Sequence, residues 1–413
     1  MVVSRYFSMY HHVLWFAFDG GVFCCRNELR PARMAKVYLD FPLGGDGRAL
    51  SAQPHRSPYF GDLLIMRIAI VSPYSAGPLR GNMTTVNRIV RHLGYAGIET
   101  VVLPVDAVSA DEMELRLARF RPDLIHAFHA HYCGGIANCL AKRLDIRFVL
   151  TITGSDIFDP ALRDHPATAE AIAQAAAIAC FSQTEADMVT RSFSRTAGTV
   201  VLIPQGVEQP QRSDNAVTYS GDFIVLLPAA LRAVKNIESA VSALAPPWPA
   251  GRSLRLLIAG GVIEHDYASR LKKVLDDSPW AVWLGEVPFK RMGALYGAAD
   301  LVLNCSHFES MPNSLLEAMA AGRPVLAADI PGNRLLVRHG ETGWLYRDQA
   351  DFRETVLRLA DDRTLGAMVG CRGQEFVLTN FPPWREAEAY RELYHSCIPG
   401  GRGTRQDPAR CVM

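Results

Sequence analysis

From Met66 onward the chain alternates short apolar runs with amphipathic stretches, and after a polar interruption it does so a second time. The first series opens with Arg67-Ile68-Ala69-Ile70-Val71-Ser72 and continues through Thr100–Leu103, Leu124–Ala127, Phe148–Ile152, Ile178–Phe181 and Val200–Ile203. Helical patterns such as Thr84–Leu93 and Thr168–Ala177 lie between these runs. Strands alternating with helices predict a parallel α/β domain. Gln209–Gly221 then reads as a linker. The second series runs Phe223–Leu227, Leu254–Ala259, Ala281–Leu284, Leu301–Asn304 and Val325–Ala327. Two similar halves predict two Rossmann-like, nucleotide-binding-type domains facing a cleft.

The expected organisation is a first domain over 66–215, a second over 216–380, a crossover helix within 381–398 and a disordered tail over 399–413. Trp384–Tyr394 is expected to return to the first domain. Residues 1–65 mix aromatic, Gly and Pro residues without a sustained period. They read as a true N-terminal extension, disordered or not, or as a start-site artefact with Met66 as the start.

Composition narrows the chemistry. The 413 residues, 49% of them hydrophobic, suffice for two to three domains with real cores. Lys plus Arg (43) nearly equals Asp plus Glu (42), so no global field argues for nucleic acid or an anionic membrane. The nine cysteines are scattered, with only Cys24-Cys25 adjacent, and indicate neither a zinc site nor a disulfide framework. A reducing, cytoplasmic setting is expected. Val13–Phe18 is too short to span a bilayer and is interrupted by Asp19, and Cys411 is misplaced for prenylation.

The chemistry concentrates in Glu309-Ser310-Met311-Pro312-Asn313-Ser314-Leu315-Leu316-Glu317. It follows a buried-strand run and leads into a helix that Gly322 ends, with Ser310 or Met311 expected near the cap and Pro312 in the first turn. The amides of Asn313, Ser314 and Leu315 would then be free at a helix N-terminus, a site suited to phosphate. Two carboxylates, Glu309 and Glu317, flank it. After the first strand of the same domain, Arg232 and Lys235 either face the cleft, where they would neutralise a departing diphosphate, or are ordinary surface cations.

In the first domain, Gly77, Gly81 and Asn82 follow the opening strand without forming G-x-G-x-x-G, so a dehydrogenase is disfavoured. His126, His129 and His131 fall at a strand's carboxyl end. With no Cys, Asp or Glu close by in sequence, a hydrogen-bonding role for one of them is favoured over a metal site. Asp156, in Thr153-Gly154-Ser155-Asp156, either accepts from a substrate hydroxyl or caps the following turn.

Taken as a set, these motifs resemble the retaining GT-B glycosyltransferases of family GT4. The likeness is carried by Glu309 with Glu317, by Glu317-Ala318-Met319-Ala320-Ala321-Gly322-Arg323-Pro324-Val325, by Gly340-Glu341-Thr342-Gly343, and by Ile203-Pro204-Gln205-Gly206-Val207, where Gln205 replaces the family's Asn. Gly81-Asn82 with Thr85 and Arg88, then His129, Gly154-Ser155-Asp156 and Ile330-Pro331-Gly332-Asn333, are similar to the group containing glycosyltransferase 1 domain-containing protein 1 and the bacterial selenosugar synthases.

The resemblance implies that Arg232 and Lys235 hold the donor diphosphate, Glu317 the ribose and Glu309 the sugar hydroxyls. It also implies that Gly81 and Asn82 approach the donor, and that Thr85, Arg88, His129 and Asp156 line the sugar or acceptor side. Arg232, Lys235, Glu309 and His129 are the catalytic candidates. Ser310 departs from the Gly that often follows the first Glu. The implied activity is sugar transfer, with retention, from a nucleoside diphosphate sugar, UDP favoured, without a metal or other cofactor. Rivals are a selenosugar synthase-like transferase, a nucleotide-sugar epimerase, a glycoside hydrolase and a non-catalytic nucleotide-sugar binder. The acceptor, oligomeric state and any peripheral membrane contact are left open.

Overall fold

The computed structural model describes residues 15–18, 21–24, 66–75, 81–193, 198–211, 219–249 and 251–399. Gly77, the segment 400–413 and most of 1–65 lie outside the described residues. The chain divides into two units, Met1–Leu63 and Leu64–Met413. In the first, the backbone of Trp15–Phe18 (β1) pairs antiparallel with Gly21–Cys24 (β2). The second unit holds both α/β domains.

The first domain's sheet comprises β3 (Arg67–Ser72), β4 (Glu99–Pro104), β5 (Leu124–Phe128), β6 (Phe148–Thr151), β7 (Ala177–Cys180) and β8 (Thr199–Leu202), parallel in the order β4-β3-β5-β6-β7-β8. The second comprises β9 (Phe223–Pro228), β10 (Leu254–Ala259), β11 (Ala281–Trp283), β12 (Leu301–Asn304), β13 (Val325–Ala328) and β14 (Trp344–Tyr346), parallel in the order β11-β10-β9-β12-β13-β14. Strand order reverses between β3 and β5 and between β9 and β12, and open α/β sheets bind ligands at the carboxyl ends beside such reversals.

Each opening strand is buried on both faces. In β9, Phe223, Val225 and Leu227 join one core cluster while Ile224 and Leu226 join the other. In β3, Ala69 and Val71 face one cluster and Ile68 and Ile70 the other. Each fully buried Ile or Leu contributes roughly 1.5–3 kcal/mol, which is why these runs carry no polar alternation.

One local expectation is corrected and one strand is added. The helix expected over Thr168–Ala177 is Pro166–Gln174, because Pro166 sits in its first turn and Ala177 already opens β7. The edge strand β14 has no counterpart in the sequence reading, since three residues are too few for a period; it pairs with β13, and Gly343 just before it has no room for a side chain, a Cβ there lying 2.5 Å from Val325 Cγ2.

The last helix, Pro383–Cys397, follows the second domain yet buries Ala387, Tyr390, Leu393 and Tyr394 in a core cluster of the first, beside the helix Gly81–Tyr95. Tyr394 Oη also lies 2.7 Å from His126 Nδ1. Among the described residues, no helix is long and apolar enough to cross a membrane.

Candidate active site

The two strand-order reversals face a common cleft of about 510 Å³ whose walls include Gly81, Asn82, Thr85 and His129 from the first domain and Arg232, Lys235, Glu309, Asn313, Ser314 and Glu317 from the second. Gly260, also on its wall, follows β10 and has no room for a side chain, since a Cβ there would meet Ala229 O at 2.1 Å.

On the second domain, the loop after β9 carries the cations. Arg232 is extended and precedes a single 3-10 turn, Ala233–Lys235, which Asn236 ends in the left-handed region. Lys235 Nζ lies 2.6 Å from Glu309 Oε1 in the loop after β12. Ser306 Oγ and Asn304 Nδ2 donate to the same oxygen at 2.7 and 3.2 Å. Burial pushes the Glu309 carboxyl up, but the Lys235 charge and these donors more than offset it, so its pKa falls below the usual value and it is ionised. Arg232 Nε makes no hydrogen bond, and its ionic partner Glu264 is 3.6 Å away. A guanidinium so weakly paired retains attraction for an arriving anion.

Glu309 has a support that the sequence reading did not anticipate. Asn333 Nδ2 donates to Asn304 Oδ1 at 3.2 Å and to Ala328 O at 2.9 Å, fixing the amide that in turn holds Glu309. Gly332 permits this, because a Cβ there would lie 2.0 Å from Glu309 O. The Ile330-Pro331-Gly332-Asn333 motif therefore acts as a brace. Spacing hinted at the motif but not at what it touches.

The helix after Glu309 spans Asn313–Ala320 with Pro312 as its cap, not Ser310 or Met311, and has no side-chain cap. Its first backbone bond runs from Leu316 N to Pro312 O, so the amides of Asn313, Ser314 and Leu315 precede the ladder and face the positive end of the dipole. The Leu315 side chain is core, leaving only its amide for a ligand. Gly322, at φ +73°, lies past the end of the helix. Half-buried Glu317 accepts from Tyr296 Oη at 2.9 Å. Burial pushes its pKa up to about 7, with the Tyr296 hydrogen bond and the Arg88 charge opposing.

On the first domain, Gly81 opens the helix Gly81–Tyr95, and Asn82 Nδ2 lies 3.4 Å from Thr153 Oγ1. His129 is held at φ +79°, uncommon for a side chain, by its amide on Thr151 O. Its Nδ1 accepts from Tyr132 N at 3.3 Å, which leaves Nε2–H directed to Ser155 Oγ at 3.0 Å. Burial lowers its pKa, partly offset by Asp156 and reinforced by His131 and Arg232, so the ring is neutral and donates from Nε2. His126 is a core residue between Tyr394 and Thr151, pushed down to about 3 by burial. His131 lies 3.3 Å from Thr168 Oγ1.

Two expected residues lie off the cleft. Asp156 is fully buried, and its carboxylate accepts from Ala130 N and Thr153 N at 2.9 and 3.0 Å. It therefore shapes the loop that carries His129 and does not offer itself to a hydroxyl. Arg88 is buried too, pairing with Glu386 at 2.8 and 3.0 Å and donating to Asn313 Oδ1 at 3.0 Å. A guanidinium with those partners is a strut beneath the site. Thr85 lines the cleft, but its hydroxyl is held by Gln205 at 2.5 Å.

Comparison with known proteins assigns each half a domain type. Residues 68–209 match Glycosyltransferase Family 4, and residues 222–362 match Glycosyl transferases group 1. The chain thus carries a Glycosyltransferase Family 4 domain followed by a Glycosyl transferases group 1 domain. Glycosyltransferase 1 domain-containing protein 1 of Xenopus tropicalis is 23% identical over 328 residues, covering 76% of this chain and 93% of that protein. D-inositol 3-phosphate glycosyltransferase of Nocardia farcinica is 35% identical over 162 residues, 38% of this chain and 36% of that one. Among solved structures, sucrose-phosphate synthase of Thermosynechococcus elongatus superposes with a TM-score of 0.68 at 19% identity, covering 80% of this chain and 98% of that one. Anabaena HepE in complex with UDP and glucose gives 0.66 at 17% identity, covering 80% and 100%. These likenesses show the GT-B fold for this glycosyltransferase.

Proposed function

We propose that this glycosyltransferase moves a sugar from a UDP-sugar to an acceptor hydroxyl with retention at the anomeric carbon. The observation that carries the reading is one cleft holding the uncapped helix N-terminus at Asn313–Leu315, the cations Arg232 and Lys235, and the carboxylates Glu309 and Glu317. The diphosphate sits on the free amides with Arg232 and Lys235 beside it. Glu317 accepts from the ribose hydroxyls. Glu309, ionised by Lys235, accepts from the sugar hydroxyls, and neutral His129, its Nε2–H on Ser155 Oγ, lines the opposite wall.

In the reaction the bond from the anomeric carbon to the diphosphate oxygen breaks, and a bond to the acceptor oxygen forms on the same face. The acceptor proton passes to a phosphate oxygen, leaving UDP and the glycoside. Charge developing on the leaving diphosphate is stabilised by Arg232, Lys235 and the helix dipole, an arrangement set before the reaction begins. No metal or other cofactor takes part. UDP is favoured because HepE was solved with UDP and with UDP-glucose, and pneumococcal GtfA with UDP and GlcNAc.

A cytoplasmic location fits the described cysteines, Cys133, Cys139, Cys180, Cys305, Cys371 and Cys397, all free. The test is UDP release from a panel of UDP-sugars and acceptors, with the product's anomeric configuration read by NMR. Net UDP formation that depends on an acceptor, with donor configuration kept, is expected. Donor binding with no turnover, epimerised donor, or inverted product overturns the reading.

A further inference from the structure

The loop between Glu309 and the diphosphate-facing helix belongs to the second domain by sequence, yet its side chains and carbonyls are held by the first. Ser310 Oγ donates to Glu185 Oε1. The other oxygen of Glu185 accepts from Phe181 N and Ser182 N at 2.7 and 3.3 Å, locking the carboxylate at the start of the helix Gln183–Ser192. Gly154 makes room for the serine, since a Cβ there would meet Ser310 Oγ at 2.6 Å.

One residue on, Met311 O accepts from Gln205 Nε2 at 2.5 Å, and Met311 Sδ lies 3.3 Å from Gln205 N. Gln205 Oε1 takes Thr85 Oγ1 at 2.5 Å and Arg88 Nη2 at 3.1 Å. Asn313 closes the series, with Oδ1 on Arg88 Nη1 and Nδ2 donating to Thr85 Oγ1, both at 3.0 Å. All of these partners are buried or nearly so: Glu185 is 0% exposed, Gln205 3% and Ser310 7%.

Ser310 and Gln205 are also the two places where this chain departs from the motifs quoted above. A glycine at 310 has no hydroxyl for Glu185. An asparagine at 205 is one methylene shorter, and an amide nitrogen already 2.5 Å from Met311 O would be drawn back from it.

We propose that Ser310 and Gln205 are positioning residues that place the donor loop only when the two domains meet. Glu309 begins this loop, and the free amides that end it open a helix already anchored in the second domain's core, so the loop's placement sets the sugar's acceptor relative to a diphosphate cradle that stays in place. Domain closure then completes the donor site, which couples the arrival of one domain to the geometry on the other. The inference rests on the transferase reading for its kinetic consequence, though not for its structural one.

Two measurements on the full chain test it. Hydrogen exchange is followed over residues 183–192 and 305–314 with and without UDP. In the parent protein UDP is expected to slow exchange in both segments. In Ser310→Ala/Gln205→Asn the slowing at 183–192 should be lost while that at 305–314 remains. Equal slowing at 183–192 in parent and variant, or none there in the parent, overturns the proposal.

The second measurement separates turnover from binding. Ser310→Ala and Gln205→Asn should each lower kcat for transfer at least fivefold while the Kd for UDP changes less than twofold. An unchanged kcat, or a Kd raised in the same proportion, refutes positioning. If Ser310→Ala fails to fold, Gln205→Asn alone gives the same readings. Absence of transfer by the parent with every donor counts against the functional reading, and the exchange experiment still decides the tether.

Discussion

Lys235 and Glu309 form a 2.6 Å ion pair across the β9/β12 reversal of the second sheet, one residue from each of the two loops that flank it. The pair makes Glu309 a permanent acceptor and keeps the lysine's charge beside the cradle. Side-chain exposures of 24% and 13% put it between surface and core, where an ion pair acts mainly through geometry.

Lys235→Ala is therefore expected to lower kcat on the order of 10²- to 10³-fold, because its charge is most useful as the diphosphate departs. The Kd for UDP should change much less. Single-turnover kinetics beside calorimetric UDP binding measures both, and equal losses in the two would indicate uniform binding.

Glu317→Gln is expected to weaken UDP-sugar binding by roughly 1.5–3 kcal/mol above neutral pH, through loss of charge-assisted hydrogen bonds. Titration calorimetry at pH 8 reads this directly. Full affinity with no turnover would instead give that carboxylate a chemical role.

Binding should also depend on pH. Burial raises Glu317 to about 7 in the free protein, and the ribose hydroxyls need its ionised form. Affinity for a UDP-sugar should rise as pH passes upward through about 7, and Glu317→Gln should flatten that rise. Stability runs the other way. Because the folded pKa lies above the usual 4.5, the contribution is full below 4.5 and is lost as pH rises through about 7. Glu185, raised by burial to about 8, acts in the same sense. Thermal transitions from pH 5 to 8 in the parent and Glu317→Gln should show the smaller decline in the variant.

Activity is expected to persist in EDTA, since Arg232 and Lys235 supply the positive charge at the diphosphate. Full loss with chelator, restored by manganese or magnesium, would reverse that expectation.

Removing residues 1–63 should leave the thermal transition and UDP binding unchanged, because the chain from Leu64 forms a separate unit and β3 begins at Arg67. A truncated protein that is insoluble or fails to bind UDP counts against this.

Much of the fold was legible because buried strands announce themselves locally. Ile68–Val71 and Phe223–Leu227 are apolar along their length, since both faces are covered, and that pattern survives in one dimension. The start of the Glu309 loop and its helix was legible for a similar reason, as proline, glycine and helix periodicity are short-range signals. The exact cap was not. Pro312 takes it, while Ser310 is engaged instead by Glu185, a residue 125 positions away.

The sequence by itself determined the two α/β halves, the cations after the first strand of the second half and the pair of glutamates. Only the tertiary structure decided what those groups meet. Arg88 could be read as a ligand-facing cation until Glu386, 298 residues on, was found to neutralise it. Asp156 could be read as a hydroxyl acceptor until the turn after His129 brought the Ala130 amide to it. The physical reason is that secondary structure follows from neighbours within a few residues, whereas a buried charge takes its role from whichever partner the chain crossovers bring within about 3 Å.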